Sequence, residues 1–321
     1  MKHIPLSIGT ALIGVTIAVA AAQAGDLARK TAPRDDLWAV YDSSLANAKY
    51  IDLTHAFSPD TPIGPDFAPL RFMTARGSAP AGQTGTSLDY ATVGAAITAY
   101  ELSTDQIGTQ LDPPAHGNPQ GATISDFPPT VAVRPLVVID MSAKTKANPA
   151  TVAEMADVRA WEARNGPIPA GSVVMFRTDW SKRWPDAAAF NAKPFPGVSL
   201  EALKYLHLQR HILFHGHEPY NADMSPTYAT EKWLFENNFT QAEGVANLDK
   251  VPERGALVAI GFAKPEGGTG GFARFVAIVP SGWRYGTTIS EEPGAPLVGH
   301  KNPLMRDRAG VLREPATPAD K

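Results

Sequence analysis

The sequence predicts a single α/β domain with a core made largely of β-strands. Several short apolar runs are rich in β-branched residues, which favours strands over helices. Few helix patterns lie between them, and no shift in composition marks a second domain. The strand runs are 136–139, 173–176, 257–262 and 275–279, with 211–214 as a weaker fifth, and the helix candidates are 151–164 and 200–208.

The first 24 residues have the pattern of a secretory signal peptide. Positively charged Lys2 precedes an almost uncharged run of small and apolar residues, 8–22, and the small-x-small sequence A-Q-A ends at Ala24. Because the run is short and ends in small residues, we expect cleavage rather than a membrane span. The mature protein is then expected in the periplasm or outside the cell. An uncleaved N-terminal anchor is the alternative interpretation.

The remaining chain divides into three stretches. Residues 25–50 form a predicted helical lead-in, because apolar side chains recur at helical spacing over 36–49. A strand pattern at 51–55 opens the main domain, residues 51–290. The last stretch, 291–321, is rich in Pro, Gly and charged residues and is expected to be an extended arm.

Composition excludes several kinds of partner and chemistry. The 321 residues include 29 basic and 32 acidic side chains, for a net charge of -3, and no basic stripe that would bind nucleic acid. There is no cysteine, so disulfides and thiol catalysis are excluded and any metal must be held by oxygen and imidazole ligands. We expect a small-molecule substrate and no membrane span in the mature chain.

The most polar segment of the chain carries four candidate ligands, Gln106, Gln110, Asp112 and His116. A glycine and two prolines between them force a tight, stiff backbone on which these side chains can converge. Asp112 and His116 are ligand types for a divalent metal. Glutamine offers a neutral oxygen, which suits Ca²⁺, Mg²⁺ or Mn²⁺ better than Zn²⁺. Alternatively, Asp112 and His116 form a hydrogen-bonded pair that fixes a turn.

This segment resembles the signature of the cyclase family that includes bacterial kynurenine formamidase and isatin hydrolase, H-x-G-T-H-x-D-x-P-x-H. The chain reads Q-I-G-T-Q-L-D-P-P-A-H, so Asp112 and His116 match while Gln106 and Gln110 replace two histidines. Further segments are similar to other family strands and loops in the same order, so the resemblance covers residues 51–280. These segments are 51–55, 137–140, 171–180 and 195–199.

The resemblance implies a single domain with a curled, barrel-like β core, flanking helices and at least a dimer. It also implies a late ligand pair, in which Glu243 matches the family glutamate and Glu231 stands where a histidine is usual. For Glu231, a solvated helix residue is the alternative. The implied ion is Mn²⁺ or Zn²⁺, and its implied ligands are Gln106, Gln110, Asp112, His116, Glu231 and Glu243.

Roles for the remaining candidates follow from this resemblance. His116 is the expected general base, and Glu243 or His217 is expected to serve the leaving group. His217 lies where the family shows an aspartate-containing stretch, so it is a substitute ligand, a proton carrier or a loop histidine bonded to backbone. His55 and Trp180 are assigned to substrate binding, and for Trp180 a place in the core is equally open.

Two functions from different classes remain open on the sequence. The first is a metal-dependent hydrolase of an amide, lactam, lactone or N-formyl aromatic compound, arylformamidase-like, that acts through a metal-activated water. The second is a catalytically silent, exported protein that binds small molecules on the same fold. The metal content of the purified protein discriminates between them.

Overall fold

The computed structural model describes residues 36–184, 186–290 and 294–315. The predicted signal peptide, residues 1–24, lies outside these ranges. Within them, none of the helices has the length and apolar character needed to cross a membrane.

Most of the described strands are short, and most helices have fewer than three turns. The strands are β1 Lys49–Asp52, β2 Arg71–Thr74, β3 Thr98–Glu101, β4 Gln110–Asp112, β5 Val133–Asp140, β6 Val152–Ala153, β7 Val173–Arg177, β8 Gly197–Val198, β9 Phe214–His217, β10 Gln241–Glu243, β11 Ala256–Phe262, β12 Gly271–Val279, β13 Thr287–Thr288, β14 Met305–Arg306 and β15 Leu312–Arg313. The α-helices are α1 Leu37–Val40, α2 Tyr90–Val93, α3 Ser142–Ala147, α4 Met155–Asn165, α5 Ala187–Phe190, α6 Leu200–Leu208 and α7 Ala229–Glu236.

A closed barrel of seven strands forms the centre of the main domain. Its strands follow the order β11–β5–β7–β9–β10–β4–β12, and β12 pairs back with β11. The neighbours from β5 to β10 are parallel, and the other pairs are antiparallel. Closure leaves these strands without a free edge. The expected α/β class with a curled, barrel-like β core and flanking helices is therefore confirmed.

Two hydrophobic layers lie on opposite sides of the barrel wall. The interior is filled by buried side chains such as Leu111, Phe214 and Phe275, each about 1% exposed or less. On the other side of β5 and β7, residues such as Val174 pack under α4 and α6. Successive strand residues point to opposite faces, so the buried stretches of these two strands, 136–139 and 173–176, are apolar on both faces. We call the helix-covered side the outer face.

The predicted central strands and the helix Leu200–Leu208 are confirmed, with small differences in their bounds. The weaker strand prediction, 211–214, was wrong in position, because β9 begins at Phe214. The reason lies in the backbone of His211, whose φ of 52° is left-handed and interrupts an extended strand. The strand therefore carries His215 and His217, and a loop position was one of the alternatives for His217.

The predicted helix over 36–49 is shorter in the structure. Asp36 caps α1 by accepting a hydrogen bond from the Ala39 N–H. A π-helical turn, Tyr41–Leu45, follows, and the chain is already in β1 at Lys49. This N-terminal segment, up to Asn47, forms a unit separate from the domain that begins at Ala48.

The described part of the C-terminal arm, residues 294–315, is not wholly extended. β14 and β15 pair as a short antiparallel hairpin. Arg306 on this hairpin donates to the Ile97 carbonyl at 3.1 Å and to the Thr98 hydroxyl at 2.9 Å, next to β3. The hairpin is therefore attached to the β2–β3 pair, which explains why a polar segment is ordered.

We expect Leu203→Ala to lower the free energy of unfolding by about 2–5 kcal/mol, because Leu203 is fully buried between α6 and the barrel and its loss leaves a cavity. Leu208→Ala on the same helix is the matched control, since Leu208 is 50% exposed. Its effect should stay within about 0.5 kcal/mol. Chemical denaturation of the two variants measures both values, and equal losses would contradict this packing of α6.

Candidate active site

Four polar side chains meet where β4 pairs with β10. In the antiparallel register, Gln110 lies opposite Glu243 and Asp112 lies opposite Gln241. The alternate residues Leu111 and Ala242 belong to the interior cluster, so the four polar side chains share the outer face. We call Gln110, Asp112, Gln241 and Glu243 the carboxylate–amide quartet. All four are buried, with at most 4% of their surface exposed.

Hydrogen bonds inside the quartet run from the two amides to the two carboxylates. Gln110 Nε2 lies 3.2 Å from Asp112 Oδ1 and 3.0 Å from Glu243 Oε2. Gln241 Nε2 lies 3.0 Å from Asp112 Oδ2 and 2.9 Å from Glu243 Oε1. Both amides therefore stand between the carboxylates as donors, and the amide oxygens of Gln110 and Gln241 are buried without a hydrogen-bond partner.

Gln106 extends the quartet on the side of the glycine-rich loop 267–271. Its Oε1 accepts a hydrogen bond from Gln110 Nε2 at 2.8 Å, and its Nε2 donates to the Thr269 carbonyl at 2.8 Å. A Cβ atom at Gly270 would lie 2.5 Å from Gln106 Nε2, so only glycine allows this approach. Asp105 holds the loop by accepting from the Gly270 N–H at 2.7 Å.

Two glycines in left-handed conformations set the backbone around the quartet. Gly108 has a φ of 68°, and Gly244 has a φ of 60°. A Cβ atom on Gly244 would lie only 2.5 Å from the Gly108 carbonyl oxygen. Between them, the Thr109 hydroxyl donates to the Gly244 carbonyl at 2.6 Å. The Gly108-Thr109 pair of the motif therefore connects the start of β4 to Gly244, the residue that follows Glu243.

Glu231 and His116 line a pocket of about 380 Å³ beside the quartet, together with Asn221 and Tyr228. Glu231 comes from α7, and its Oε1 accepts from the Ala222 N–H at 2.6 Å. The Asn221 N–H donates to Glu243 Oε1 at 2.9 Å, so the wall of this pocket reaches the quartet. Glu231 is 8% exposed and is therefore not a solvated helix residue.

Burial dominates the electrostatics of the acidic groups. It raises the pKa of Glu231 to about 8 and also raises the pKa of Asp112 and of Glu243. Repulsion among the three carboxyls raises the pKa of Glu231 and of Glu243 further. Such a cluster is stable only if a cation balances it or some carboxyls hold protons.

His217 lies behind the quartet rather than in the pocket. It is 2% exposed, and its Nδ1 lies 2.9 Å from the Pro219 carbonyl oxygen. Its other nitrogen, Nε2, is buried and has no hydrogen-bond partner. Burial lowers the pKa of His217 to about 4, so the ring is neutral. Of the alternatives open on the sequence, this contact agrees with a histidine bonded to backbone, although His217 lies at the end of β9 and not in a loop.

His55 and Trp180 occupy different surroundings. The His55 ring stacks on Trp184 with centroids 4.0 Å apart, and His55 lines a mainly apolar pocket of about 460 Å³ with Phe57 and Phe272. Trp180 is 1% exposed and donates through its indole N–H to the Phe190 carbonyl at 2.9 Å. Trp184, and not Trp180, is thus the tryptophan that stacks on His55.

Glu218, next to His217, supports the segment that carries these tryptophans. It is 1% exposed, and its Oε2 accepts from the Thr178 N–H at 3.1 Å, the Thr178 hydroxyl at 2.8 Å and the Trp180 N–H at 2.6 Å. Burial outweighs these donors and raises the pKa of Glu218 to about 7.

The structure thus brings together four of the proposed ligands, Gln106, Gln110, Asp112 and Glu243, and adds Gln241, which the sequence analysis missed. Across the described part of the chain, no three His, Asp or Glu side chains are arranged to hold a metal ion by themselves. Amide oxygens are needed to complete a ligand set. The Nε2 atoms of Gln110 and Gln241 face these carboxylates, so the two amides would supply their unpartnered oxygens to a hard divalent ion such as Mn²⁺ only after turning by half a rotation.

Comparison with known proteins agrees with this architecture. The family model described as "Putative cyclase" matches residues 51–224. Isatin hydrolase from Roseibium aggregatum is 33% identical over 250 residues, which cover 72% of this chain and 91% of that protein. The structure of isatin hydrolase A from Ralstonia solanacearum is similar with a TM-score of 0.65 and 30% identity, over 78% of this chain and 99% of that chain.

A more distant solved structure, titled as a potential metal-dependent hydrolase with cyclase activity, shares the fold. It has a TM-score of 0.54 and 21% identity, over 72% of this chain and 98% of that chain. The closed barrel with an acidic and amide cluster on its outer face therefore has the fold of the cyclase-type hydrolases. The chain belongs to the Cyclase family.

We expect Glu218→Gln to change how stability depends on pH. Because the pKa of Glu218 rises from 4.5 to about 7 on folding, the protonated form favours the folded state, and this stability is lost as pH rises between those values. Over this range the ionisation of Glu218 lowers the free energy of unfolding by about 3 kcal/mol in total. The glutamine cannot ionise, so this loss should be missing from its free energy of unfolding between pH 5 and pH 8.

The variant must be compared with the wild type, because two buried histidines also change stability over this pH range. The pKa values of His207 and His217 are lowered to about 4, so their contribution makes the free energy of unfolding rise with pH, opposite to that of Glu218. Glu201→Gln, at an exposed position of α6, is the control. Identical pH profiles for the wild type and Glu218→Gln would show that Glu218 ionises normally.

Proposed function

We propose that this protein is a hydrolase that opens the C–N bond of a small cyclic amide attached to an aromatic ring. The observation that carries the proposal is the carboxylate–amide quartet, which is buried on the outer face beside a pocket lined by His116 and Glu231 and is bonded to Asn221 of the pocket wall. An isatin hydrolase matched over nine-tenths of its own length supports the reaction class. Lactones and N-formyl aromatics are the related substrates to compare.

A divalent ion is part of the proposal. Asp112 and Glu243 would hold it together with amide oxygens of the neighbouring glutamines, a set that suits Mn²⁺ better than Zn²⁺. When bound, such an ion supplies a Lewis acid that polarises a carbonyl group and acidifies water. The described contacts of Asp112 and Glu243 include no Lys or Arg, so an ion would also balance their charge.

The chain's own side chains have distinct tasks in this proposal. His116 lines the pocket and takes the proton of the attacking water. Glu231 faces the same pocket from α7 and gives a proton to the departing nitrogen. The Asn221 N–H, through its bond to Glu243, keeps that carboxylate in place beside the pocket.

The size and lining of the pocket favour a small aromatic substrate. A volume of about 380 Å³ is in the lower range of small-molecule sites. Tyr228 and Phe235 give it two aromatic walls, and Phe235 also holds the His116 ring edge-on, with centroids 5.5 Å apart. The larger pocket at His55 is mainly apolar and lacks a carboxylate among its lining residues, so we assign the reaction to the pocket at His116.

We expect His116→Ala to lower kcat/KM by about 10²- to 10⁴-fold, because general-base catalysis contributes that much. Activity would be measured on a panel of lactams, lactones and N-formyl aromatics with added Mn²⁺ or Zn²⁺. His300→Ala, an exposed histidine of the C-terminal arm, is the control and should not change the rate.

The same panel distinguishes the two functions that the sequence left open. Turnover that His116→Ala leaves unchanged would contradict the assigned base. An absence of turnover, together with binding of a panel compound and no stoichiometric ion, would favour the silent binding protein. That outcome has a structural basis, because the two glutamine amides already give each carboxylate oxygen of Asp112 and Glu243 a hydrogen bond without an ion.

We also propose that the protein is exported and acts on an imported or environmental compound, on the strength of the pattern in residues 1–24. Mass spectrometry of the protein from a periplasmic extract should find a mature N-terminus at Gly25. An intact N-terminus in the membrane fraction would show an uncleaved anchor instead. Light scattering of the same sample tests the expected homo-oligomer.

A further inference from the structure

The row of β5 side chains that faces the barrel interior begins with an arginine. Arg134 lies opposite Val258 of β11, which is fully buried in the interior cluster, and residues opposite each other on paired strands share a face. Leu136, two residues further along β5, belongs to the same cluster. A charged side chain therefore borders the apolar interior at the end of the barrel where β5 begins.

The Nε atom of Arg134 is buried and has no hydrogen-bond partner. Other half-buried arginines are paired at this atom. Nε lies 2.8 Å from Asp179 Oδ1 in Arg177 and 2.5 Å from Glu162 Oε1 in Arg210. Within the described part of the chain, no carboxylate forms an ion pair with Arg134. Because a buried N–H of a charged group is costly without an acceptor, Arg134 favours the binding of an anionic acceptor from outside the chain.

Arg134 lines a pocket of about 240 Å³. The pocket lies at the same end of the barrel, because it is also lined by Leu213, just before β9, and by Thr240, just before β10. Its walls are mainly apolar, and Phe127 and Phe239 give it two aromatic side chains. An apolar cavity of about 150 Å³ is enough to hold a benzene ring. This pocket therefore has room for one aromatic ring with a small substituent.

One carboxylate, Asp126, is also among the residues that line this pocket. Its Oδ2 accepts hydrogen bonds from the Thr123 N–H and the Thr123 hydroxyl, both at 2.8 Å. These donors hold the pKa of Asp126 below its ordinary value, so the group is ionised. Asp126 is exposed to solvent, which screens its repulsion of an anion at Arg134.

We propose that this pocket is a second small-molecule site, which binds an aromatic carboxylate of the size of benzoate. Arg134 donates to the ligand carboxylate from Nε and one terminal nitrogen, the bidentate geometry that suits an arginine and a carboxylate. Neighbouring atoms cover Nε in the structure, so the guanidinium group turns toward the pocket on binding, a common side-chain adjustment. The ring of the ligand packs against Phe127 and Phe239. Neither contact depends on the proposed hydrolase activity.

This site is distinct from the pocket to which we assign the reaction. The two pockets share no lining residue. The 3₁₀ turn Pro114–His116 contributes Pro114 to the pocket at Arg134 and His116 to the reaction pocket. Substitutions in one pocket therefore leave the lining of the other unchanged, and the ligand can be assigned to one of them by mutation.

The test measures benzoate affinity of the full-length protein by isothermal titration calorimetry. Arg134→Met replaces the guanidinium group by an apolar side chain and should weaken binding by about 10- to 100-fold, the value of a hydrogen bond to a charged group. Ala122→Leu leaves Arg134 in place but fills part of the pocket, so it should weaken binding as well. Benzamide has the same ring without the charge, and its weaker binding should not change in Arg134→Met.

Thermal melting without benzoate separates a binding role of Arg134 from a structural one. Replacing an unpaired, partly buried charge by apolar surface is neutral or stabilising. The melting temperature of Arg134→Met should therefore equal or exceed that of the wild type, although benzoate binding is weakened. Added benzoate should raise the melting temperature of the wild type and have a smaller effect on this variant.

Arg183→Gln is the matched control. Arg183 is also half-buried, lines a different pocket and stacks on Trp180 at 3.7 Å instead of binding a carboxylate. Its benzoate affinity should stay within about twofold of the wild type, as for other substitutions away from a site. His116→Ala, in the reaction pocket, should also bind benzoate like the wild type.

Three results would overturn this inference. The first is a wild-type protein that does not bind benzoate. The second is wild-type affinity in both Arg134→Met and Ala122→Leu. The third is weakened binding in His116→Ala alone, which would place the benzoate in the reaction pocket. A lower melting temperature of Arg134→Met with unchanged benzoate affinity would assign Arg134 a structural role instead.

Discussion

The antiparallel register between β4 and β10 determines which side chains meet on the outer face of the barrel. Gln110 lies opposite Glu243 and Asp112 opposite Gln241, so each carboxylate has one amide opposite it on the partner strand and another two residues away on its own strand. A shift by one residue would turn every side chain to the other face and bury the quartet in the hydrophobic interior. Leu111 fixes the register, because its apolar side chain belongs to the interior cluster.

Replacing imidazole by amide changes what such a site can do when it holds no ion. A neutral histidine that offers its lone pair to a metal gives the adjacent carboxylates no hydrogen at that position. An amide has a donor and an acceptor at the same distance from the backbone, so it can serve a carboxylate or a cation by turning. The Gln110 and Gln241 amides thereby limit the repulsion between Asp112 and Glu243 that burial would otherwise strengthen.

Local patterns in the sequence predicted the barrel strands well, because β-branched runs such as 173–176 are both short and fully buried. The motif around Asp112 and the position of Glu243 were also visible, since spacing and resemblance point to them. Gln241 was not, because one glutamine in a strand of three residues has no local signal. Its importance comes from a partner strand about 130 residues away in sequence, and single-sequence patterns do not encode that register.

The same reasoning explains why the chemistry lies outside the barrel. The interior is filled by apolar side chains, including the fully buried Phe275, and leaves no room for a hydrated ion or substrate. On the outer face, α4 and α6 cover the apolar side of β5 and β7, whereas the outward residues of β9, β10 and β4 are polar. The helix α7 brings a carboxylate, Glu231, to this polar side. The site therefore occupies the part of the barrel wall that the apolar helix layer does not cover. A buried oxygen without a partner is energetically costly there, so each such oxygen favours the binding of a hydrogen-bond donor or a cation.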